Sequence, residues 1–235
     1  MTRKTFLLAT ADDFSKLYTW LYGSTLCLLF VLSLVIDKGS DVLWINGHHT
    51  VIMDRFFASV THLGSGLIFV PILLVMLFIR FEYAIMCVVL SAGHGILISI
   101  FKKLLFPGLE RPRNFLDNKL LHFIPGVEVH GSNSFPSGHT TTIFCAALFV
   151  TLVSKNKATG ILMLILALSV GYSRIYLLQH FLVDVAAGAV LGCFTTYMVW
   201  QVFNANQKPQ WMNSHLTLKV VSRKPRPARQ QENVV

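Results

Sequence analysis

Residues 135–203 read FPSGHTTTIFCAALFVTLVSKNKATGILMLILALSVGYSRIYLLQHFLVDVAAGAVLGCFTTYMVWQVF, and the fold is decided there. The stretch holds three apolar runs in quick succession, 138–153, 158–176 and 180–203. A helix crosses the hydrocarbon core of a bilayer with about 20 mainly apolar residues, within a range of about 17–25. Charged residues and histidines are few in these runs: His139, Arg174, His180 and Asp184, each at a run's end.

Upstream, three further runs fit the same template. Residues 17–36 carry no charge, 64–79 contain the tolerable Pro71, and 83–101 contain His94. The expected architecture is therefore an all-α bundle of six transmembrane helices. Residues 51–63 are half apolar and read as a short interfacial helix. Residues 106–135 form a long loop rich in Pro and Gly, a length that usually signals function. The membrane domain is expected to span residues 1–203. Residues 204–235 read as a basic, disordered cytoplasmic tail.

Composition agrees. Apolar residues make up 54 % and charged residues 13 %, against about 45–50 % and about 25 % in soluble domains. Mean hydropathy is +0.59. The net charge of +9 does not imply nucleic-acid binding, because the cations form no stripe interleaved with exposed aromatics. Cys27, Cys87, Cys145 and Cys193 lie inside apolar blocks and read as small hydrophobes, giving neither a disulfide framework nor a zinc site. The apolar part of the N-terminal stretch, residues 6–10, is short for a signal peptide and is followed by Asp12 and Asp13. With the N-terminus cytoplasmic, 12 Lys and Arg fall inside and 8 outside, the expected sign of bias.

Ionisable groups at membrane depth are functional candidates by default. With alternating topology, Lys102, Lys103, Arg111, His139, Arg174, His180 and Asp184 all fall at one face. His180 and Asp184 are four apart and share a helix face, so the carboxylate can fix the imidazole tautomer and leave the other nitrogen free to attack. A structural ion pair at a helix start has the same spacing. Ser137 is placed to cap the run that Gly138 and His139 open, and a helix N-terminus attracts phosphate. His139 would stand where it could protonate a leaving oxygen. Arg111 and Arg174 offer bidentate donors to phosphate oxygens. Lys38, Arg113 and Lys119 read as interfacial cations. His48, His49, His62, His122 and His130 read as solvated or head-group residues, and His94 as either a packed or a supporting residue.

The combination resembles the type 2 phosphatidic acid phosphatase and haloperoxidase superfamily, whose motifs are K-x6-R-P, P-S-G-H and S-R-x5-H-x3-D. The second is intact as Pro136-Ser137-Gly138-His139, and the third as Ser173-Arg174, His180 and Asp184. The first departs: Arg111-Pro112 is present, but Lys103 precedes Arg111 by seven intervening residues and Lys102 by eight. Neither gives six, so the motif lysine stays open between Lys102 and Lys103, and the turn-forming Pro107-Gly108 could absorb the insertion.

The resemblance implies a metal-independent lipid phosphatase without a cofactor. In it His180 is the nucleophile that forms a phosphohistidine, Asp184 its orienting partner and His139 the general acid. Lys102 or Lys103, Arg111, Ser137, Gly138 and Arg174 form the phosphate cradle. Expected substrates are undecaprenyl pyrophosphate, phosphatidylglycerophosphate, phosphatidic acid or lipid A 1-phosphate. Compact loops point to a bacterial inner membrane with the site on the periplasmic face. The alternatives are a lipid phosphotransferase on the same scaffold and a non-catalytic membrane transporter or scaffold.

Overall fold

The computed structural model describes residues 3–217. Nine α-helices are described, in order: α1 (Arg3–Val35), α2 (Ser40–Gly47), α3 (Val51–Val60), α4 (Phe69–Ile79), α5 (Phe81–Ile100), α6 (Pro112–Phe115), α7 (Gly138–Ser154), α8 (Lys157–Tyr176) and α9 (Leu182–Ala205). Among the described residues there is no strand.

Local chemistry sets the helix starts. Thr50 caps α3 by accepting from the Met53 N–H at 3.2 Å, and Asn156 caps α8 by accepting from Thr159 at 3.1 Å. At α9 the Asp184 carboxylate reaches back to the Phe181 N–H at 3.0 Å.

Four helical segments have the length and hydropathy of a membrane span: 17–35, 81–105, 157–176 and 182–205. The stretch expected as an interfacial helix is helical, but it does not stand alone. Residues 51–64 and 66–79 together pass the same test and meet at 64°. Counted as one broken span, they make a fifth. Helix α7 is apolar but has only 17 residues. It can be short because it is the bundle's centre: Phe144, Cys145 and Phe149 are fully buried, and it packs against α5, α8 and α9.

The tightest seam lies between α7 and α9. A Cβ placed on Gly192 would sit 2.4 Å from the Thr141 carbonyl oxygen, and one on Gly188 2.6 Å from that of Ser137. Small residues four apart let two membrane helices approach to backbone contact. The seam ends in a hydrogen bond from the Ser137 N–H to the Asp184 carbonyl at 3.0 Å. The start of α7 is thereby fixed against the start of α9.

Two irregularities shape the end of α5. The helix opens into a π turn over Phe101–Leu105, and Gly108 turns the chain with φ of 75°. At the opposite end of the bundle the segment after α9 folds back on the α4–α5 corner. Lys208 and Arg80 both meet the buried Glu82, and the Phe81 N–H donates to the Ser214 carbonyl at 2.8 Å. Residues 218–235 of the expected tail lie outside the described residues.

Gly192→Val tests the seam. Overpacking at a backbone contact costs about 1–3 kcal/mol, so the thermal midpoint in detergent should fall by several degrees. Val190→Leu, at an exposed position of the same helix, should leave the midpoint in place.

Candidate active site

The three sequence-marked regions converge at the end of the bundle where α5 finishes and α7 and α9 begin. A cavity of about 380 Å³ opens there. Lys102, Arg111, Gly138, His139, Arg174 and His180 line it. Lys103 does not; it lines a separate groove with Gly95, Ile96 and Ser99. The spacing left two lysines open, and the π turn decides between them by delivering Lys102 to the cavity. Ser137 is fully buried behind the wall, where its hydroxyl accepts from the Thr140 hydroxyl at 2.8 Å and caps α7.

His180 precedes α9 and is 1 % exposed. Its Nδ1 lies 3.4 Å from Asp184 Oδ2 and 3.4 Å from the Ser134 hydroxyl. Ser134 in turn donates to the same Asp184 oxygen at 2.5 Å. With the Ser134 proton directed at the carboxylate, its lone pairs and the carboxylate both face Nδ1. That arrangement favours a proton on Nδ1 and leaves the Nε2 lone pair free. Burial holds the His180 imidazole well below its ordinary pKa, and Arg174, Arg111, Lys102 and His139 push the same way. The ring is therefore neutral at physiological pH, as a nucleophile must be.

The cations are held mostly by neutral acceptors. Arg111 donates through Nε to the Ser132 carbonyl at 2.8 Å and through Nη1 to the Gln179 side-chain oxygen at 2.8 Å. Burial lowers its pKa, against the opposing field of Asp184. Arg174 donates through Nη1 to the Thr61 hydroxyl at 2.6 Å. Its Nε is buried and has no hydrogen-bond acceptor. An unmatched guanidinium N–H beside two further cations and the N-terminus of α7 is the signature of an anion site.

Sequence reasoning passed over four of these residues. Ser134 stands two positions before the second motif, Gln179 precedes the nucleophile candidate, and Thr61 and His62 belong to the break between α3 and α4. His62, expected among the head-group histidines, lines the cavity. A cavity-facing position carries no periodic signal in a bent segment. His94 is buried and bridges helices, with Nδ1 on the Leu90 carbonyl at 2.7 Å and Nε2 on Thr142 at 3.1 Å. Half-buried His122 pairs with Asp54 at 3.0 Å, outside the cavity.

Residues 82–208 match the family model described as the PAP2 superfamily. The chain belongs to the PAP2 superfamily. The match contains every residue of the cavity's three motif regions and more than half of the chain. Among relatives, the chain is 43 % identical to the bacitracin transport permease protein BcrC of Bacillus licheniformis over 32 % of this chain, which spans only 36 % of that protein. It is 29 % identical to phosphatidylglycerophosphatase B of Bacillus subtilis (strain 168), over 63 % of this chain and 73 % of the relative. The crystal structure of the transmembrane PAP2 type phosphatidylglycerolphosphate phosphatase of Bacillus subtilis superposes with a TM-score of 0.59 at 22 % identity, over 80 % of this chain and 98 % of that one. The PAP2 fold is shared, and the apolar helices make this PAP2 chain an integral membrane protein. Among the described residues no group of three or more His, Cys, Asp or Glu side chains is placed to hold a metal ion.

The buried neutral His180 has a consequence for stability. Below about pH 6.5 the unfolded chain protonates this histidine and the folded chain does not. Stability contributed by the neutral ring is thus full above about pH 6.5, and it declines as the pH falls from there toward the depressed folded value. Nitrogen NMR of the imidazole should show His180 unprotonated at pH 6, where an exposed histidine is mostly charged.

Proposed function

We propose that this chain is a metal-independent lipid phosphatase working through a phosphohistidine at His180. The observation that carries the reading is the orphaned Arg174 Nε in a cavity shared with Lys102, Arg111, His139 and His180. A phosphoryl group supplies the missing acceptor and balances the cations.

In the first step His180 Nε2 attacks phosphorus and the bond from phosphorus to the leaving oxygen breaks. His139, held as the imidazolium by the bound phosphate anion that offsets the neighbouring cations, gives its proton to that oxygen. The phosphohistidine carries its remaining proton on Nδ1, where Asp184 and Ser134 stabilise it. In the second step water attacks phosphorus, the phosphorus–nitrogen bond breaks, and His139 takes the proton from water. Inorganic phosphate leaves, and both histidines return to their starting states. Lys102, Arg111, Arg174 and the N–H groups at Gly138 stabilise the charge that builds on the equatorial oxygens. Ser137 acts one layer back by fixing the start of α7.

The membrane-embedded body suits a lipid monoester or pyrophosphate. Undecaprenyl pyrophosphate, phosphatidylglycerophosphate, phosphatidic acid and lipid A 1-phosphate are the substrates to assay. The surplus of cytoplasmic Lys and Arg supports a periplasmic site in a bacterial inner membrane.

His180→Ala should cut phosphate release from these lipids by about a thousandfold or more, with expression and membrane insertion unchanged. Turnover that survives the substitution overturns the nucleophile. Ser134→Ala, which leaves Asp184 short of one donor, should lower kcat by about tenfold with little change in KM. Activity of the wild-type protein should persist in excess chelator; its loss there contradicts a metal-free mechanism.

A further inference from the structure

The segment 131–134 holds several of the site's side chains in place. Its Gly131 carbonyl accepts from the Arg111 backbone N–H at 2.9 Å, and its Ser132 carbonyl from Arg111 Nε at 2.8 Å. The Asn133 carbonyl accepts from Lys102 Nζ at 2.9 Å and from Arg111 Nη2 at 3.5 Å. The Asn133 side-chain oxygen accepts from the Gly108 N–H at 3.1 Å. Ser134 then binds Asp184 and His180. One acceptor, the Asn133 carbonyl, is thus common to both cations of the irregular first motif.

That carbonyl is aimed by backbone geometry. Asn133 has φ of 56°, in the left-handed region that Asn tolerates better than other residues with a side chain. Its side chain is exposed, so no core packing holds the turn.

We propose that Asn133 is a positioning residue: its left-handed turn presents one carbonyl to Lys102 and Arg111 and so assembles the anion site despite the eight residues between them. The turn and the π turn of α5 act together. The π turn brings Lys102 near, and the strap fixes where its ammonium stops. The inference builds on the phosphatase reading for its kinetic consequence, but its binding consequence is independent of turnover.

The test compares Asn133→Val, Asn133→Gly and the wild-type chain, each full-length and purified in detergent. Calorimetry measures inorganic phosphate binding, phosphate release from each of the four candidate lipids gives kcat and KM for those turned over, and thermal midpoints are read without phosphate. A β-branched residue disfavours this turn, so Asn133→Val should weaken phosphate binding and lower kcat/KM by about tenfold. Glycine adopts the turn freely, so Asn133→Gly should stay within about threefold of wild type. The Asn133→Val midpoint should fall by no more than a few degrees, leaving the protein folded at the assay temperature, and that of Asn133→Gly should remain near wild type. The proposal is overturned if Asn133→Val binds phosphate like the wild type, if Asn133→Gly loses as much as Asn133→Val, or if the loss merely tracks unfolded protein. A wild-type chain that binds phosphate but releases none overturns the hydrolase reading, and the binding series alone then decides the role of Asn133. A wild-type chain that binds no phosphate overturns both.

Discussion

Lys102, Arg111 and Arg174 bring three positive charges to one cavity of about 380 Å³ at the end of a membrane bundle. Burying a charge costs several kcal/mol unless it is paired or well hydrogen-bonded. Asp184 lies behind His180 and is committed to Ser134 and the Phe181 N–H. Its carboxylate oxygens form no hydrogen bond with the cations. The charges are instead held by dipoles: the carbonyls of Ser132 and Asn133, the amide of Gln179 and the hydroxyl of Thr61. Dipoles orient a cation without neutralising it. The site therefore keeps a surplus positive field, and under the proposed function the substrate's phosphate supplies the acceptor that Arg174 Nε lacks. Carboxylate partners in the same places would have made a stable but inert network.

This arrangement depends on the α7–α9 seam. Gly188 and Gly192 allow backbone contact, and the Ser137-to-Asp184 hydrogen bond ties the two helix starts. Gly138 and His139 then line the same cavity as His180. The short α7 is no defect in such a scheme. It is surrounded by other helices, so it need not match the bilayer thickness by itself.

The parts of the site legible in the sequence are those fixed by short-range spacing and capping. His180 and Asp184 at four-residue spacing, Ser137 as a cap and Arg174 near a run's end follow from patterns that local geometry enforces. Lys102 was legible only as one of two, because a π turn shifts the register without leaving a residue signature. Backbone carbonyls were invisible for a related reason: Ser132 and Asn133 act through atoms that every residue has. Thr61 and His62 reach the cavity through a 64° bend between two helices. Their residues read as an interfacial helix because the first piece taken alone is short and half apolar. Helix existence was clear throughout the bundle. The bent pair 51–64 and 66–79 and the 17-residue α7 are where apolar length alone does not fix the form of a span.

The burial of His180 also bears on the fate of a phosphoryl group once it has reached the ring. The ring is 1 % exposed and is backed by Asp184 and Ser134, so under the proposed mechanism the acceptor must arrive by the cavity through which the leaving group departed. Water and a second lipid would both use that opening and meet the same His139. The residues that form the phosphoryl pocket would serve either acceptor equally. Discrimination between hydrolysis and transfer accordingly belongs to the other lining of the cavity, where His62, Val127, Glu128 and His130 stand. His130 and Glu128 are exposed and 3.5 Å apart, a polar pair at which water competes well with an apolar acceptor. Under the proposed mechanism that polarity favours water as the acceptor over a second lipid.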